Sequence, residues 1–203
     1  MGRHAVNRRH TVDARETIWR GHFAADRITV RHDTFAGGES APLVLEVFDL
    51  GQAACVLPWE PASDSVLLVE QFRGAVAALA DPPWLLETIA GDLGPGEAPE
   101  AVARREAMEE AALALDVLIP AGRILPCPGA VATCVHAFVA PCALGDAGGV
   151  FGLAEEGEDI LVHVLPLDEA LAMVDDGRIE AAHATIPLLW LARHRDRLRA
   201  GRA

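Results

Sequence analysis

Residues 86–113 read LETIAGDLGPGEAPEAVARREAMEEAAL, and this stretch decides the fold. Within it, residues 91–97 (GDLGPGE) are rich in glycine and predict a loop. Pro99 follows where the first turn of a helix tolerates proline. Residues 99–112 are rich in alanine, glutamate and arginine and contain no later helix breaker, which predicts a helix. The stretch therefore predicts a glycine-rich loop that leads directly into a helix.

The predicted helix carries three glutamates within about one and a half turns. Glu106 and Glu110 are four residues apart and share a face, and Glu109 flanks them. Like charges at this spacing destabilise a helix and raise one another's pKa unless a cation lies among them. Oxygen ligands suit Mg²⁺ or Mn²⁺, and Mg²⁺ commonly takes one or two carboxylates together with phosphate oxygens. The spacing predicts a magnesium or manganese site that acts on phosphates. Three glutamates without further context are more typical of a solvated helix face.

Length and charge limit the class of protein. The chain has 203 residues, which suits one globular domain with a small extension, and its net charge is −13. An acidic chain is a poor non-specific binder of nucleic acid or membrane, so neither is expected as a partner. The four cysteines form no CxxC pair, and the apolar stretches are shorter than a membrane span requires. We expect reduced thiols and a cytoplasmic location.

Short predicted strands alternate irregularly with a few predicted helices. Residues 1–20 are interpreted as a polar lead-in, and residues 77–84 and 144–159 as loops. Strands are predicted at 27–33, 43–49, 52–58, 64–72, 130–140 and 160–166, and further helices at 168–176 and 181–199. This mixture predicts the α+β class.

The loop and helix resemble the signature of the Nudix hydrolase family. That signature is Gly, five residues, Glu, seven residues, and then Arg-Glu-apolar-any-Glu-Glu-any-Gly-apolar. Gly91, Glu97 and the Arg105-Glu106 pair match it at the required spacing. The one departure is Ala112, where the family has glycine and where the helix is expected to end.

The resemblance extends to the ADP-ribose diphosphatase branch of the family, from about residue 20 to residue 195. It rests on the segments RHDTFAGG (31–38), LLVEQFR (67–73), PWLLETIAG (83–91), CPGA (127–130), GLAEEGEDILVHVL (152–165) and DDGRIEAAHATIPLLWL (175–191). It implies a Nudix fold, in which a mixed β-sheet is sandwiched between helices. It also implies two regions: residues 1–50, a small antiparallel β-domain that reaches over the partner in a homodimer, and residues 51–203, the Nudix hydrolase domain.

The same resemblance implies roles for individual residues. The metal would be held by the Ala90 carbonyl, Glu106 and Glu110, with Glu109 close by. A loop after the signature would supply the catalytic base, Glu156, with Glu158 beside it as a helper or metal ligand. Arg73 would contact a phosphate and Phe23 would stack on the nucleotide base. Gly91, Glu97 and Arg105 would be structural, and Arg105 is also spaced to pair with Glu109.

The implied activity is metal-dependent hydrolysis of the diphosphate bond of ADP-ribose or a related nucleoside diphosphate sugar, giving AMP (or another nucleoside monophosphate) and a sugar phosphate. Two departures keep the substrate open. Residues 130–133 read Ala-Val-Ala-Thr where the branch often has Gly-Thr-Ser-Glu, and residues 43–45 read Leu-Val-Leu where it often has arginine. Another sugar nucleotide such as GDP-mannose, or a non-catalytic Nudix-fold sensor of nucleotide sugars, are the alternatives.

Overall fold

The computed structural model describes residues 8–153 and 157–201. The chain divides into two compact units. The N-terminal unit comprises the described residues up to Gly51 together with Pro126–Thr133, and the larger unit comprises Gln52–Leu125 and the described residues from Cys134 onward.

The N-terminal unit is built on an antiparallel ladder of β1 (His10–Arg20), β2 (Ala24–His32) and the first part of β3 (Leu43–Glu60). The interpretation of residues 1–20 as a polar lead-in is therefore wrong for residues 10–20. Polar and charged side chains in β1 obscured its strand character. In the structure they pair across the ladder, as Arg31 does with Asp13 at 2.8 Å.

Strand β3 continues where a break was predicted. The sequence indicated separate strands at 43–49 and 52–58, but Leu43–Glu60 is one strand. Gly51, which lies between the two predicted segments, has a φ of 77°. Glycine adopts this conformation without a steric penalty, so the strand continues past it. Its pairing with β2 ends at Asp49, and a new pairing begins at Ala53.

In the larger unit the second part of β3 pairs with β6 (Ile89–Asp92) and with β4 (Ser65–Phe72). Strand β4 also pairs with β5 (Trp84–Glu87) and β10 (Ile160–Pro166), and β10 pairs with β9 (Gly149–Phe151). Strand β8 (Val131–Pro141) pairs with β3 and with β7 (Ile119–Ile124). The described helices are α1 (Gly74–Ala77), α2 (Pro99–Ala111), α3 (Leu167–Asp175) and α4 (Ala182–Arg199).

Alternation along the central strands produces two hydrophobic cores, one on each face of the sheet. Ala54 and Val56 of β3 join a core to which α2 contributes Val102, Ala103, Ala107 and Ala111. Cys55 and Leu57, the intervening residues, join the opposite core with Leu167 of α3 and Leu188 and Leu191 of α4. Because successive strand residues point to opposite faces, β3 can serve both cores at once. The predicted α+β class, with a sheet between helices, is confirmed.

The three predicted helices lie within one residue of their expected bounds, whereas short elements were missed. Helix α1 and strands β5, β7 and β9 have at most six residues each, too few to show a period. Among the described helices, none combines the length and the apolar character needed to span a bilayer.

Ala112 ends α2 in a left-handed conformation, with φ 50° and ψ 33°. A side chain makes this conformation costly, and glycine relieves the cost. We therefore expect Ala112→Gly to increase the free energy of unfolding by about 1 kcal/mol. Urea denaturation of the metal-free protein measures it. An Ala112→Gly variant no more stable than the parent protein would contradict this account of the helix end.

Candidate metal and active site

The glycine-rich loop and α2 meet at Gly91. A Cβ atom added at this position would lie 1.7 Å from Oε1 and 2.1 Å from Cδ of Glu106. No side chain fits there unless the Glu106 carboxylate moves away. The glycine of the signature therefore lets a carboxylate of α2 rest directly against the backbone of β6.

Two of the three signature glutamates on α2 are buried. Glu110 is 1% exposed and Glu106 is 8% exposed. Burial raises the pKa of Glu110 to about 9, and the nearby negative charges of Glu106 and Glu158 add to the effect. Burial also raises the pKa of Glu106, and the adjacent Arg105 guanidinium opposes this shift. Both carboxylates are thus held where their charged forms lack water, a condition that a cation would relieve.

Arg105 bridges the glutamates around it. Its Nη1 atom lies 2.8 Å from Oε1 of Glu106 and 3.0 Å from Oε2 of Glu109, and its Nε atom lies 3.5 Å from Oε1 of Glu97. The pair between Arg105 and Glu109 expected from their spacing is present. Glu97 also accepts a hydrogen bond from the Gly94 N–H at 3.1 Å. Arg105 and Glu97 therefore connect the loop to the helix.

A cavity of about 470 Å³ opens beside these residues. It is lined by Ala53, Arg73, Ala90, Gly91, Asp92, Arg105, Glu106, Val135, Glu158 and His183. The structure thus brings together Arg73, Ala90, Glu106 and Glu158, which are far apart in sequence. Glu110 is buried close enough for its charge to interact with those of Glu106 and Glu158. Glu109 has a partly exposed side chain bonded to Arg105.

The donor set fits a hard divalent cation. Within the described residues, Oε2 of Glu110 is buried without a hydrogen-bond partner. The same residues contain no group of three or more His, Cys, Asp or Glu side chains that could hold a metal ion by themselves. Mg²⁺ usually keeps several waters and binds through one or two carboxylates plus substrate oxygens, so it does not require such a cage.

Arg73 is held by a residue that the sequence analysis did not single out. Its Nη2 and Nε atoms lie 2.6 Å and 3.0 Å from Oε2 of Glu87. Burial acts to raise the pKa of Glu87, but His183 and Arg73 outweigh it, so the pKa lies below its ordinary value. His183, which also lines the cavity, was missed as well. The sequence did offer one sign that Glu87 is unusual. It is the one charged residue in the mostly apolar run LLETIA (85–90).

The predicted catalytic loop is only partly described. Glu158 lines the cavity, and its Oε2 atom accepts a hydrogen bond from the Leu153 N–H at 3.0 Å. Gly152 allows this close approach, because a Cβ atom there would lie 2.7 Å from the Glu158 Cβ. Glu156, the predicted base, lies outside the described residues.

Phe23 belongs to the N-terminal unit. It is partly exposed, and its ring packs edge-to-face on His22 with the centroids 4.5 Å apart. Its stacking on a nucleotide base stays a prediction.

A sheet between helices, with a glycine-rich loop that seats the carboxylates of the following helix, defines a Nudix-type domain. The NUDIX domain family matches residues 49–186, and the chain belongs to that family. The ADP-ribose pyrophosphatase of Escherichia coli K12 is 41% identical over 186 residues, which cover 92% of this chain and 89% of that protein. The ADP-ribose pyrophosphatase of Haemophilus influenzae is 39% identical over 179 residues, which cover 87% and 82%.

A more distant relative and a solved structure agree with this membership. The GDP-mannose pyrophosphatase of Yersinia enterocolitica is 37% identical over 156 residues, which cover 76% of this chain and 80% of that protein. The crystal structure of an ADP compounds hydrolase has a TM-score of 0.67 at 18% sequence identity and covers 96% of this chain and 97% of its own. At that identity the likeness concerns the fold.

Proposed function

We propose that this protein hydrolyses the diphosphate bond of ADP-ribose or a related nucleoside diphosphate sugar. The products are AMP, or the corresponding nucleoside monophosphate, and a sugar phosphate. The observation that carries the proposal is a cavity lined by Glu106 and Arg73. One turn along α2 from Glu106, Oε2 of Glu110 is buried without a hydrogen-bond partner among the described residues. The relatives support it, since two of them are ADP-ribose pyrophosphatases.

The proposed cofactor is Mg²⁺ or Mn²⁺. Glu106, Glu110 and the Ala90 carbonyl would hold it, with Glu109 close by. Such a cation, when bound, neutralises diphosphate charge and lowers the pKa of a bound water. Glu106 and Glu110 are fixed by burial, and Gly91 keeps the space that Glu106 occupies.

The other proposed roles belong to side chains that contact the substrate. The Arg73 guanidinium suits two hydrogen bonds to a phosphate. Water attacks one phosphorus atom, the bridging P–O bond breaks, and Glu156 accepts the proton of the attacking water. Glu158, which the Leu153 N–H holds at the cavity wall, assists as a helper or metal ligand.

We also propose that the protein is a homodimer, with residues 1–50 as the dimerisation region. Several large apolar side chains of the N-terminal unit are exposed, among them Trp19, Phe35, Val44 and Phe48. Exposed apolar surface of this kind is typical of an interaction site. The cytoplasmic location remains a prediction from composition.

Another sugar nucleotide is the second candidate substrate. The identity to GDP-mannose pyrophosphatase favours it, as do the departures from the ADP-ribose branch at residues 130–133. A site that lacks a hydrogen-bond partner for one sugar can change specificity by orders of magnitude. A non-catalytic sensor is disfavoured because the glutamates of the signature are all retained.

A product screen tests the proposal. The protein is incubated with Mg²⁺ or Mn²⁺ and a panel that includes ADP-ribose and GDP-mannose, and the products are separated by chromatography. We expect AMP and ribose 5-phosphate from ADP-ribose, or the equivalent pair from another substrate. Absence of turnover on every sugar nucleotide with either ion would contradict the proposed function.

Glu156 is tested by substitution in the same assay. As a general base it contributes about 10²- to 10⁴-fold, so Glu156→Gln is expected to lower kcat by that factor. Glu158→Gln, the matched control on the same loop, should have a smaller effect. Near-full activity of the Glu156→Gln variant, with a large loss in the Glu158→Gln variant, would reverse the two roles.

A further inference from the structure

His183 is a cavity-lining residue for which the proposed mechanism has no role. It lies in the first turn of α4, and about a quarter of its side chain is exposed. Its backbone carbonyl accepts hydrogen bonds from Oγ1 of Thr88 at 2.8 Å and from Sγ of Cys55 at 3.6 Å. The start of α4 is thereby fixed to the sheet, and the imidazole is presented at the cavity.

A buried carboxylate connects His183 to Arg73. Oε2 of Glu87 lies 3.5 Å from Nε2 of His183 and 2.6 Å from Nη2 of Arg73. Gln71 also donates a hydrogen bond to this oxygen, at 3.2 Å. The same oxygen of Glu87 therefore lies close to both Arg73 and His183, and both of these side chains line the cavity.

Hydrogen-bond donors are scarce among the other charged groups of this cavity. Glu106, Glu158 and Asp92 are acids, and Arg105 is already bonded to several glutamates. Among the lining residues that the structure describes, His183 and Arg73 are the remaining charged or ionisable donors. An anionic diphosphate in this cavity would find its hydrogen bonds there.

The Nε2 atom of His183 is itself incompletely satisfied. It is buried, it lies 3.5 Å from Oε2 of Glu87, and it has no hydrogen-bond partner within the part of the chain that the structure describes. In its cationic form histidine donates from both ring nitrogens, so one N–H can face Glu87 while the other is available to a phosphate oxygen.

We propose that His183 contacts the diphosphate of the substrate alongside Arg73, and that Glu87 is the positioning residue for both. This inference rests on the proposed function and adds to it a second phosphate contact, contributed by α4. If His183 served only to pack α4 against the sheet, its replacement would change stability and leave substrate affinity unchanged.

The test compares His183→Ala with His194→Ala, a control on the same helix that does not line this cavity. We expect His183→Ala to raise KM about tenfold for both ADP-ribose and GDP-mannose, with a smaller change in kcat, because the diphosphate is common to both. His183→Gln, which keeps a donor, should recover part of the loss. An effect confined to one substrate would place the contact on the sugar or base and overturn the proposal, as would an unchanged KM.

Glu87→Gln separates positioning from structure. We expect it to raise the dissociation constant of α,β-methylene ADP-ribose, measured by calorimetry, by about tenfold or more. Adding His183→Ala to the Glu87→Gln variant should then raise the dissociation constant by a smaller factor than His183→Ala does in the wild type, because the two residues contribute to one arrangement. A lower unfolding temperature with unchanged affinity would contradict the positioning role.

The failures of the two proposals are distinguishable. Turnover of sugar nucleotides by the wild type tests the proposed function. Binding of the analogue tests the role of His183 separately, because the analogue is not hydrolysed. The quantity to compare is its dissociation constant for the His183→Ala variant and for the wild type. Tenfold weaker analogue binding supports the inference, and a ratio near one overturns it.

Discussion

Glu110→Gln is expected to lower metal-dependent turnover about 10²- to 10³-fold and yet to stabilise the metal-free protein. The loss of turnover follows because the variant lacks a buried charge that the proposed cation requires. The stabilisation follows because the Glu110 carboxylate is 1% exposed, and its Oε2 atom has no hydrogen-bond partner within the described residues. At pH 7 the metal-free wild type must take up a proton at Glu110 in order to fold, and glutamine has no such requirement. The substitution should therefore increase the free energy of unfolding at pH 7 by about 3 kcal/mol.

The pH dependence has a definite sign. The pKa of Glu110 is raised from 4.5 to about 9 in the folded protein. The contribution of this group to stability is therefore fully present below pH 4.5 and is lost as pH rises toward 9. Thermal unfolding with a chelator present should show the Glu110→Gln variant and the wild type alike near pH 4.5, with the variant increasingly more stable up to pH 8.

Glu100→Gln is the matched control for this experiment, because it changes an exposed glutamate in the first turn of the same helix. It should leave turnover intact and change stability by less than about 0.5 kcal/mol. Added Mg²⁺ should raise the unfolding temperature of the wild type and of the Glu100→Gln variant, and should have little effect on the Glu110→Gln variant. If Glu110→Gln is less stable than the wild type at pH 8 without metal, the account is contradicted.

Gly91→Ala is expected to lower kcat by about 10²-fold while leaving most of the stability intact. The new methyl group would overlap the Glu106 carboxylate, whose Oε1 atom would be 1.7 Å away. The end of the Glu106 side chain can rotate away from the methyl group. The substitution should therefore displace the carboxylate and leave the fold largely unchanged. Steady-state kinetics and thermal unfolding measure the two effects separately.

Gly148→Ala provides the control, since a Cβ atom there meets nothing within 4 Å and the backbone needs no glycine conformation. It should behave like the wild type in both assays. Full activity of the Gly91→Ala variant would show that the contact between Gly91 and Glu106 does not position the carboxylate.

Elements with a clear local signal were predictable from the sequence. The spacing in residues 91–110 identified the loop, the helix and the pair between Arg105 and Glu109, because these features depend on neighbours along one helix. Strand β1 was missed because its polar residues lie in an exposed ladder, where alternation of apolar and polar residues is a weak signal.

The arrangement around Glu87 was not predictable in this way. Glu87 lies on β5, Arg73 lies just after β4, and His183 lies at the start of α4. Only the packing of the sheet brings them together. A charged residue in an apolar strand indicates a buried partner, but sequence spacing does not say which one. Burial of Glu110 was likewise invisible, since its spacing suits a solvated helix face equally well.

The proposed hydrolysis depends most directly on a cation held by the buried carboxylates of α2. A crystal of the protein soaked with Mn²⁺ and α,β-methylene ADP-ribose, measured at the manganese absorption edge, locates the ion without reference to activity. We predict an anomalous peak within coordination distance of Glu106 and Glu110, on the side of the cavity lined by Ala90. A fully occupied substrate analogue with no anomalous peak near either carboxylate would contradict the account.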